Sequence, residues 1–439
     1  MRGPDRPGVR PVGQRSELNG MCIESLMWAL GSVARVPSAD MRDSMHIPFS
    51  SDLWPTGLTP GRSGPRTYLL VSRQGSVRAL VPVDVPRVAQ RALRDASAPE
   101  SRSRSALRTI VGLGARAVLA TRMPLPDRST VSTEDDRLEQ HLAGLVGLDV
   151  AYVAVRMGPR RANQKPVATV YDRVGRPHAV AKFGCDELTR KLVSREAGAL
   201  RALSESRTGA LDIPGLLHEG TWGGLDLVVQ SMISFPGRHR LPSEDHRIQA
   251  EHAVVATGDV GRAPLRNRSY AHDLAERLQR LGGDRTSESV AHSGRRLLAM
   301  LADRTMDSGG WHGDWSPQNI CATHAGTGAW DWERWHPDRP AGFDALHFRT
   351  QTLLSDGDHS ELAGQRLLDE APLLLAPHQP GVTAEVARSL AGLYLAEVGH
   401  RYLSDRQQDT PSAAGRMDAW LVPALLSTVQ HAPAQGEHP

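Results

Sequence analysis

The residues best suited to chemistry are His312-Gly313-Asp314-Trp315-Ser316-Pro317-Gln318-Asn319, followed by Asp331-Trp332-Glu333. An aspartate on a loop can orient a hydroxyl and accept its proton. An asparagine five residues later and an aspartate on the next hairpin both offer oxygen ligands to a divalent cation. Phosphoryl transfer needs those parts: a positioned nucleophile, and a metal that neutralises charge on the moving group. The rival reading is a polar loop beside a tryptophan-rich core, since five of the nine tryptophans fall between positions 311 and 335. Packing alone does not ask for Asp, Asn and Asp at this spacing, so the chemical reading is preferred.

A second pair lies upstream. Strand alternation across 178–183 puts Val180 and Lys182 on one face, with Ala179, Ala181 and Phe183 on the other. In the following helical pattern Leu188, Leu192, Glu196, Leu200 and Leu203 share one stripe. Glu196 thus interrupts an inward apolar face, where an unpaired carboxylate is costly. A lysine from the neighbouring strand is its natural partner. Taken alone, such a pair is as often an ordinary surface ion pair.

Together, HGDxxxxN at 312–319 and Asp-aromatic-Glu at 331–333 resemble the signature of the aminoglycoside phosphotransferase and choline kinase group. The resemblance implies an α+β, protein-kinase-like two-lobed fold with an extra N-terminal region. It implies Asp314 as catalytic base, Asn319 and Asp331 as ligands of Mg²⁺, and His312 as a structural residue of the loop. Lys182, held by Glu196, would contact the α- and β-phosphates of ATP or GTP. Gln230-Ser231-Met232-Ile233 falls at the hinge, which places Ser231 and Ile233 at the nucleotide base. Asp344 reads as a helix cap or loop brace rather than a catalyst. The sequence departs from the protein-kinase pattern at the phosphate loop, where 158–165 (GPRRANQK) holds one glycine. Backbone amides near Ala162 and Asn163, or the charges of Arg160 and Arg161, are the candidates to cover the phosphates; an exposed basic turn is the rival.

The elements that must position these residues follow from periodicity. Residues 66–84 read as two strands around a turn, 86–95 as a short helix, and 133–146 as a helix. Three strand-like runs at 151–157, 167–172 and 178–183 precede a helix at 187–204 and strands near 214–219 and 225–231. Beyond about 240 the pattern is mostly helical (289–304, 360–375, 383–404, 417–430), with a hairpin near 319–335 as the exception. The expected organisation is a disordered 1–20, an N-terminal extension 21–150 without a catalytic constellation, a small lobe 151–234 and a helical lobe 235–439.

At 439 residues, with 40% hydrophobic and 23% charged residues, the chain has the composition of a soluble globular protein with a large core. No apolar run reaches the roughly 18 residues of a membrane span, and the Arg-rich start lacks a secretory pattern. Cys22, Cys185 and Cys321 are too scattered for a disulfide framework or a zinc site, so a reducing, cytoplasmic setting is expected. The SAPESRSRS stretch at 97–105 reads as a linker. The Arg-rich 101–122 is read as a solvated face in preference to a nucleic-acid contact. Only three of the 52 basic residues are lysines: Lys165, Lys182 and Lys191. A lysine inside an apolar strand is therefore informative. The expected activity is transfer of a γ-phosphate to a hydroxyl of a small molecule, such as a sugar, an aminoglycoside-like compound or another metabolite. The alternatives are a Ser/Thr kinase acting on a peptide in natural-product biosynthesis, and a nucleotide-binding pseudokinase scaffold. Expected partners are nucleotide and small-molecule acceptor, with no membrane.

Overall fold

A computed structural model describes residues 59–60, 66–73, 76–96, 130–133, 137–157, 162–206, 209–234, 239–355, 361–406 and 416–430. The readings for 1–20, Cys22, 97–105, 101–122 and 158–161 lie outside those residues. The chain divides into two compact units: one of Met1–Gly144, Leu148–Arg156 and Tyr171–Arg176, the other of Leu145–Gly147, Met157–Val170 and Pro177–Pro439.

In the first unit, β1 (Thr59–Pro60), β2 (Arg66–Arg73), β3 (Ser76–Pro82), β4 (Thr130–Thr133) and β5 (Tyr152–Met157) lie in the order β1-β4-β2-β3-β5, all antiparallel. Helix α1 (Pro86–Ala96) opens on a proline, whose missing N–H is no loss in the first turn. Its Val88, Ala89, Ala92 and Leu93 bury against Leu69, Ala79, Val81, Tyr152 and Ala154. Asp95 accepts from the Tyr171 hydroxyl at 2.8 Å, and its carbonyl from Arg156 at 3.1 Å. Helix α2 spans Arg137–Val146.

The second unit carries most of the residues singled out by the sequence. Strands β6 (Pro166–Tyr171), β7 (Pro177–Gly184), β9 (Leu216–Trp222) and β10 (Leu225–Ser231) lie in the order β6-β7-β10-β9, with β10 antiparallel to both neighbours. Helix α3 (Glu187–Ser204) packs against this sheet. Asp186 and Thr189 form its capping box, which satisfies two orphan amides reciprocally. The buried face of α3 is Leu192, Val193, Glu196, Ala197, Leu200 and Leu203, so a carboxylate does sit in an apolar stripe.

Beyond β10, helices α4 (Glu244–Val255), α5 (Ser269–Gln279), α6 (Arg285–Leu301), α7 (Phe343–Ser355), α8 (Glu361–Leu375), α9 (Ala384–Ser404) and α10 (Met417–Gln430) follow. Their shared core includes Tyr270, Leu278, Leu297, Phe343, Tyr394 and Trp420. Most of α9 is buried, because it packs against α6, α8 and α10 at once.

Two small sheets interrupt the helices. Strands β13 (Ile320–Ala322) and β14 (Thr327–Ala329) form the hairpin expected near 319–335, and the short β8 (Leu211–Asp212) joins β14 in parallel. The other sheet departs from the helical expectation: β11 (Gly261–Pro264), β12 (Thr305–Trp311) and β15 (His336–Pro340) pair antiparallel. Glycines and prolines give these strands low intrinsic β-propensity. The glycines serve close packing instead. A Cβ on Gly310 would lie 2.3 Å from the Val254 carbonyl oxygen, so α4 docks directly on the backbone of the strand that leads to Asp314. Antiparallel sheets with segregated helices make the fold α+β. Among the described residues no helix is long and apolar enough to cross a membrane.

Candidate active site

Strand β12 ends in the loop that holds His312, Gly313 and Asp314. Gly313 has φ +82°, and a Cβ there would lie 2.4 Å from the Arg334 carbonyl oxygen, so glycine is needed on two counts. His312 is fully buried. Its Nε2 faces the Trp330 carbonyl at 3.0 Å and its Nδ1 accepts the Asp314 amide at 3.2 Å. This pair of bonds fixes a neutral tautomer with the proton on Nε2, and burial lowers the ring to about 4. His312 therefore shapes the turn. Asp344, in the first turn of α7, accepts the amides of His312 at 3.0 Å and Gly313 at 3.3 Å and braces the loop from behind.

The Asp314 carboxylate has a defined partner on each oxygen. Asn319 donates through Nδ2 to Oδ2 at 2.8 Å and to the Asp314 carbonyl at 3.0 Å. His347 Nε2 meets Oδ1 at 3.2 Å, while His347 Nδ1 lies 2.8 Å from the Tyr394 hydroxyl. Burial acts to raise the Asp314 carboxyl, but the His347 hydrogen bond and the Arg401 guanidinium outweigh it and hold it well below the usual carboxylate range. Burial lowers His347 itself, so it donates as a neutral ring. Asp314 remains 41% exposed, open to an incoming group, while His347 behind it is sealed off.

Lys182 on β7 lies 2.5 Å from Glu196 Oε1 on α3 and bonds Asp331 Oδ1 on the loop after β14. Lys182 is 3% and Glu196 0% exposed. Burial disfavours the Lys182 charge, but Asp331 and then Glu196 outweigh it and hold the ammonium well above its ordinary value. Burial raises the Glu196 carboxyl against the pull of Lys182. Burial also acts to raise Asp331, but Lys182 and Lys165 prevail and lower it. Asp331 adopts a left-handed backbone, φ 67° and ψ 55°, which aspartate tolerates better than most residues.

The remaining residues singled out by sequence lie at the end of β10, just beyond it, and in the turn before β6. Ser231 donates its amide to Gly215 O and accepts the Gly215 amide through Oγ, each at 2.8 Å, so both groups are engaged with the residue just before β9. Ile233 has no such backbone bond among the described residues; its Cγ2 would lie 2.8 Å from a Cβ on Gly328 of β14. Asn163 is half-buried in the turn before β6.

The fold is similar to that of solved aminoglycoside phosphotransferases and of a solved putative fructosamine kinase. One is aminoglycoside phosphotransferase APH(4)-Ia, 15% identical over 68% of this chain and 99% of that one, with a TM-score of 0.43. A second is a thermostable mutant of the same enzyme in ternary complex with ADP and hygromycin B, 14% identical over 68% and 100%, TM-score 0.44. A third is a putative fructosamine-3-kinase from Haemophilus somnus 129PT, 11% identical over 66% and 96%, TM-score 0.39. No protein-family model matches the chain, and no curated protein matches it. At these identities the likeness concerns the fold alone.

The donors fit a hard cation such as Mg²⁺. The amide nitrogen of Asn319 is engaged with Asp314, which leaves carbonyl Oδ1 as the acceptor of that side chain. Asp331 has Oδ2 beside the oxygen that takes Lys182. Among the described residues no three His, Cys, Asp or Glu side chains converge into a cage. Mg²⁺ takes one or two carboxylates and completes its shell with water and substrate phosphates.

Sequence reasoning missed four contributors. His347 follows Asp344 by three positions on α7, so one helix face carries both to the loop; that spacing was a usable signal. Tyr394, and Arg401 bonded to the Gly313 carbonyl, arrive from α9 with no local signature. Glu251 on α4, 2% exposed, accepts from Trp315 Nε1 at 3.1 Å and His378 Nε2 at 3.0 Å, and so anchors the residue next to Asp314.

Proposed function

We propose that this chain is a phosphotransferase that moves the γ-phosphate of ATP or GTP to a hydroxyl of a small molecule, with a sugar, an aminoglycoside-like compound or another metabolite as acceptor. The observation that carries the reading is the reach of Lys182 to both Glu196 and Asp331. It joins two sequence signatures about 150 positions apart, and packing alone would not bury a lysine between two acids.

In this reading Asp314 receives and aligns the acceptor hydroxyl. Its low proton affinity makes it a weak base. That suits a loose, largely dissociative transition state, in which alignment matters more than early deprotonation. Neutral His347 and Asn319 fix the two carboxylate oxygens so that one lone pair faces the acceptor. Lys182 exchanges Asp331 for the α- and β-phosphates while Glu196 keeps hold of it. Asn319 Oδ1 and Asp331 would hold Mg²⁺, which supplies charge neutralisation on the transferring group.

The test is turnover of ATP and GTP against a panel of aminoglycosides, sugars and sugar amines. Asp314→Ala should lower turnover by at least about 10²-fold, the usual size of a positioned base, while nucleotide affinity stays within about twofold. A wild-type chain that is folded yet binds no nucleotide would remove the reading. Nucleotide binding without turnover on any acceptor would favour the scaffold.

A further inference from the structure

The phosphate-covering turn is the weak part of this site, and the structure offers a substitute for it. Of the three lysines, Lys191 is exposed and pairs with Glu187 one helical turn away. The other two converge on a single tripeptide. Lys182 bonds Asp331, and Lys165, 168 positions upstream of its partner, bonds Glu333.

Lys165 is 10% exposed and Glu333 7%. A chain that uses arginine almost everywhere has put a lysine in this enclosed place. A lysine is a compact point charge on a flexible stem, able to swing between partners, whereas a guanidinium is a rigid fork. The lysine immediately precedes Pro166, which has no N–H to offer a phosphate and biases residue 165 toward extended backbone. Between the two acids, Trp332 is fully buried and bonds Ala329 O at 2.9 Å. The tripeptide that carries both acids is thus anchored at its middle residue, and each lysine reaches it through a four-carbon stem. The Lys165 charge is also felt at Asp331 and Glu196, so it already acts within the same electrostatic field.

We propose that Lys165 is a second phosphate-binding lysine, doing with a point charge what a glycine-rich turn does with backbone amides, and that Glu333 holds it in position until a polyphosphate takes over the ion pair. This rests on the phosphotransferase reading. Both lysines would make the same exchange, from a carboxylate of the 331–333 tripeptide to a phosphate oxygen.

The experiment is calorimetric titration of the full chain with adenosine, AMP, ADP and ATP, and with the guanosine series, for wild type, Lys165→Met, Glu333→Gln and the double variant. A hydrogen-bonded charge contact is worth roughly ten- to a hundredfold in affinity. Lys165→Met should weaken ADP and ATP by that factor and leave nucleoside affinity unchanged. Glu333→Gln should bind ATP as tightly as wild type or more tightly, because the competing carboxylate is gone. The double variant, with no unpaired buried charge, should match the ATP loss of Lys165→Met and guards against misfolding of the single one. Equal loss for nucleoside and triphosphate would overturn the proposal, as would unchanged ATP affinity in both lysine variants, or an ATP loss in Glu333→Gln as large as in Lys165→Met. A wild type that binds neither nucleoside nor triphosphate overturns this proposal and the phosphotransferase reading together. ATP binding untouched by the lysine variants overturns this proposal alone.

Discussion

Replacing Lys182 by methionine keeps most of the side-chain volume and removes the one cation bonded to Glu196 among the described residues. The Glu196 carboxylate is fully buried; its Oε1 meets Lys182 and its Oε2 has no partner among the described residues. Without the ammonium, the folded chain escapes an isolated buried charge by protonating Glu196, which in the unfolded chain ionises near its ordinary 4.5. Folding must then take up a proton, at about 1.4 kcal/mol per pH unit above that value. The variant should therefore lose less than about 1 kcal/mol at pH 5 and up to about 3 kcal/mol at pH 7, the upper figure being reached only if Lys182 keeps Glu196 ionised in the wild type. The loss should level off at the ~3–5 kcal/mol typical of a broken buried pair. Asp331 adds less, because its side chain is 35% exposed and water can solvate it. Urea denaturation of wild type and variant across pH 5 to 8, without metal or nucleotide, gives the difference directly, provided the m-values agree. A loss equal at both ends of that range would refute the argument. So would a loss that grows toward acid.

Three further outcomes follow from the loop and the hairpin. Gly313→Ala forces a left-handed backbone onto alanine and a methyl against the Arg334 carbonyl, and should cost about 2–4 kcal/mol; an unchanged melting temperature would show that the loop can shift freely. His312 is buried neutral, its value lowered from 6.5 to about 4 by burial. Its contribution is complete above pH 6.5 and drains away as pH falls toward 4, up to about 3 kcal/mol. His312→Gln should flatten that limb of the stability–pH curve, and an equally steep limb would count against a neutral ring. Asp331→Asn keeps a residue that tolerates the left-handed turn and should abolish the Mg²⁺-dependent part of any thermal shift with ATP; a retained shift would exclude Asp331 as a ligand.

Local pattern carried much of this architecture. Helix 187–204 and the strands flanking it could be read because β-branched runs and a leucine stripe declare their periods within a few residues. The Lys182–Glu196 pairing could be anticipated because one misplaced acid in that stripe demands a partner. The sheet of β11, β12 and β15 was hidden for the opposite reason. Its strands are built from glycines and prolines whose value lies in letting α4 approach, a property of the assembled fold and not of the segment. Tyr394, Arg401 and Glu251 act on the Asp314 loop from helices 60 or more positions away, and nothing in their neighbourhoods marks them. Lys165 was in view as part of a basic turn, but its partner 168 positions downstream was not.

The scarcity of lysine has a practical consequence for observing this site in solution. Apart from the terminal amine, an acylating reagent meets three targets, with side-chain exposures of 62%, 10% and 3% at Lys191, Lys165 and Lys182. Lys191 acts as an internal standard for reagent dose, and acylation at the other two reads the opening of the cluster around Asp331 and Glu333. Counting acyl groups by mass therefore becomes a site-resolved clock, without any engineered label.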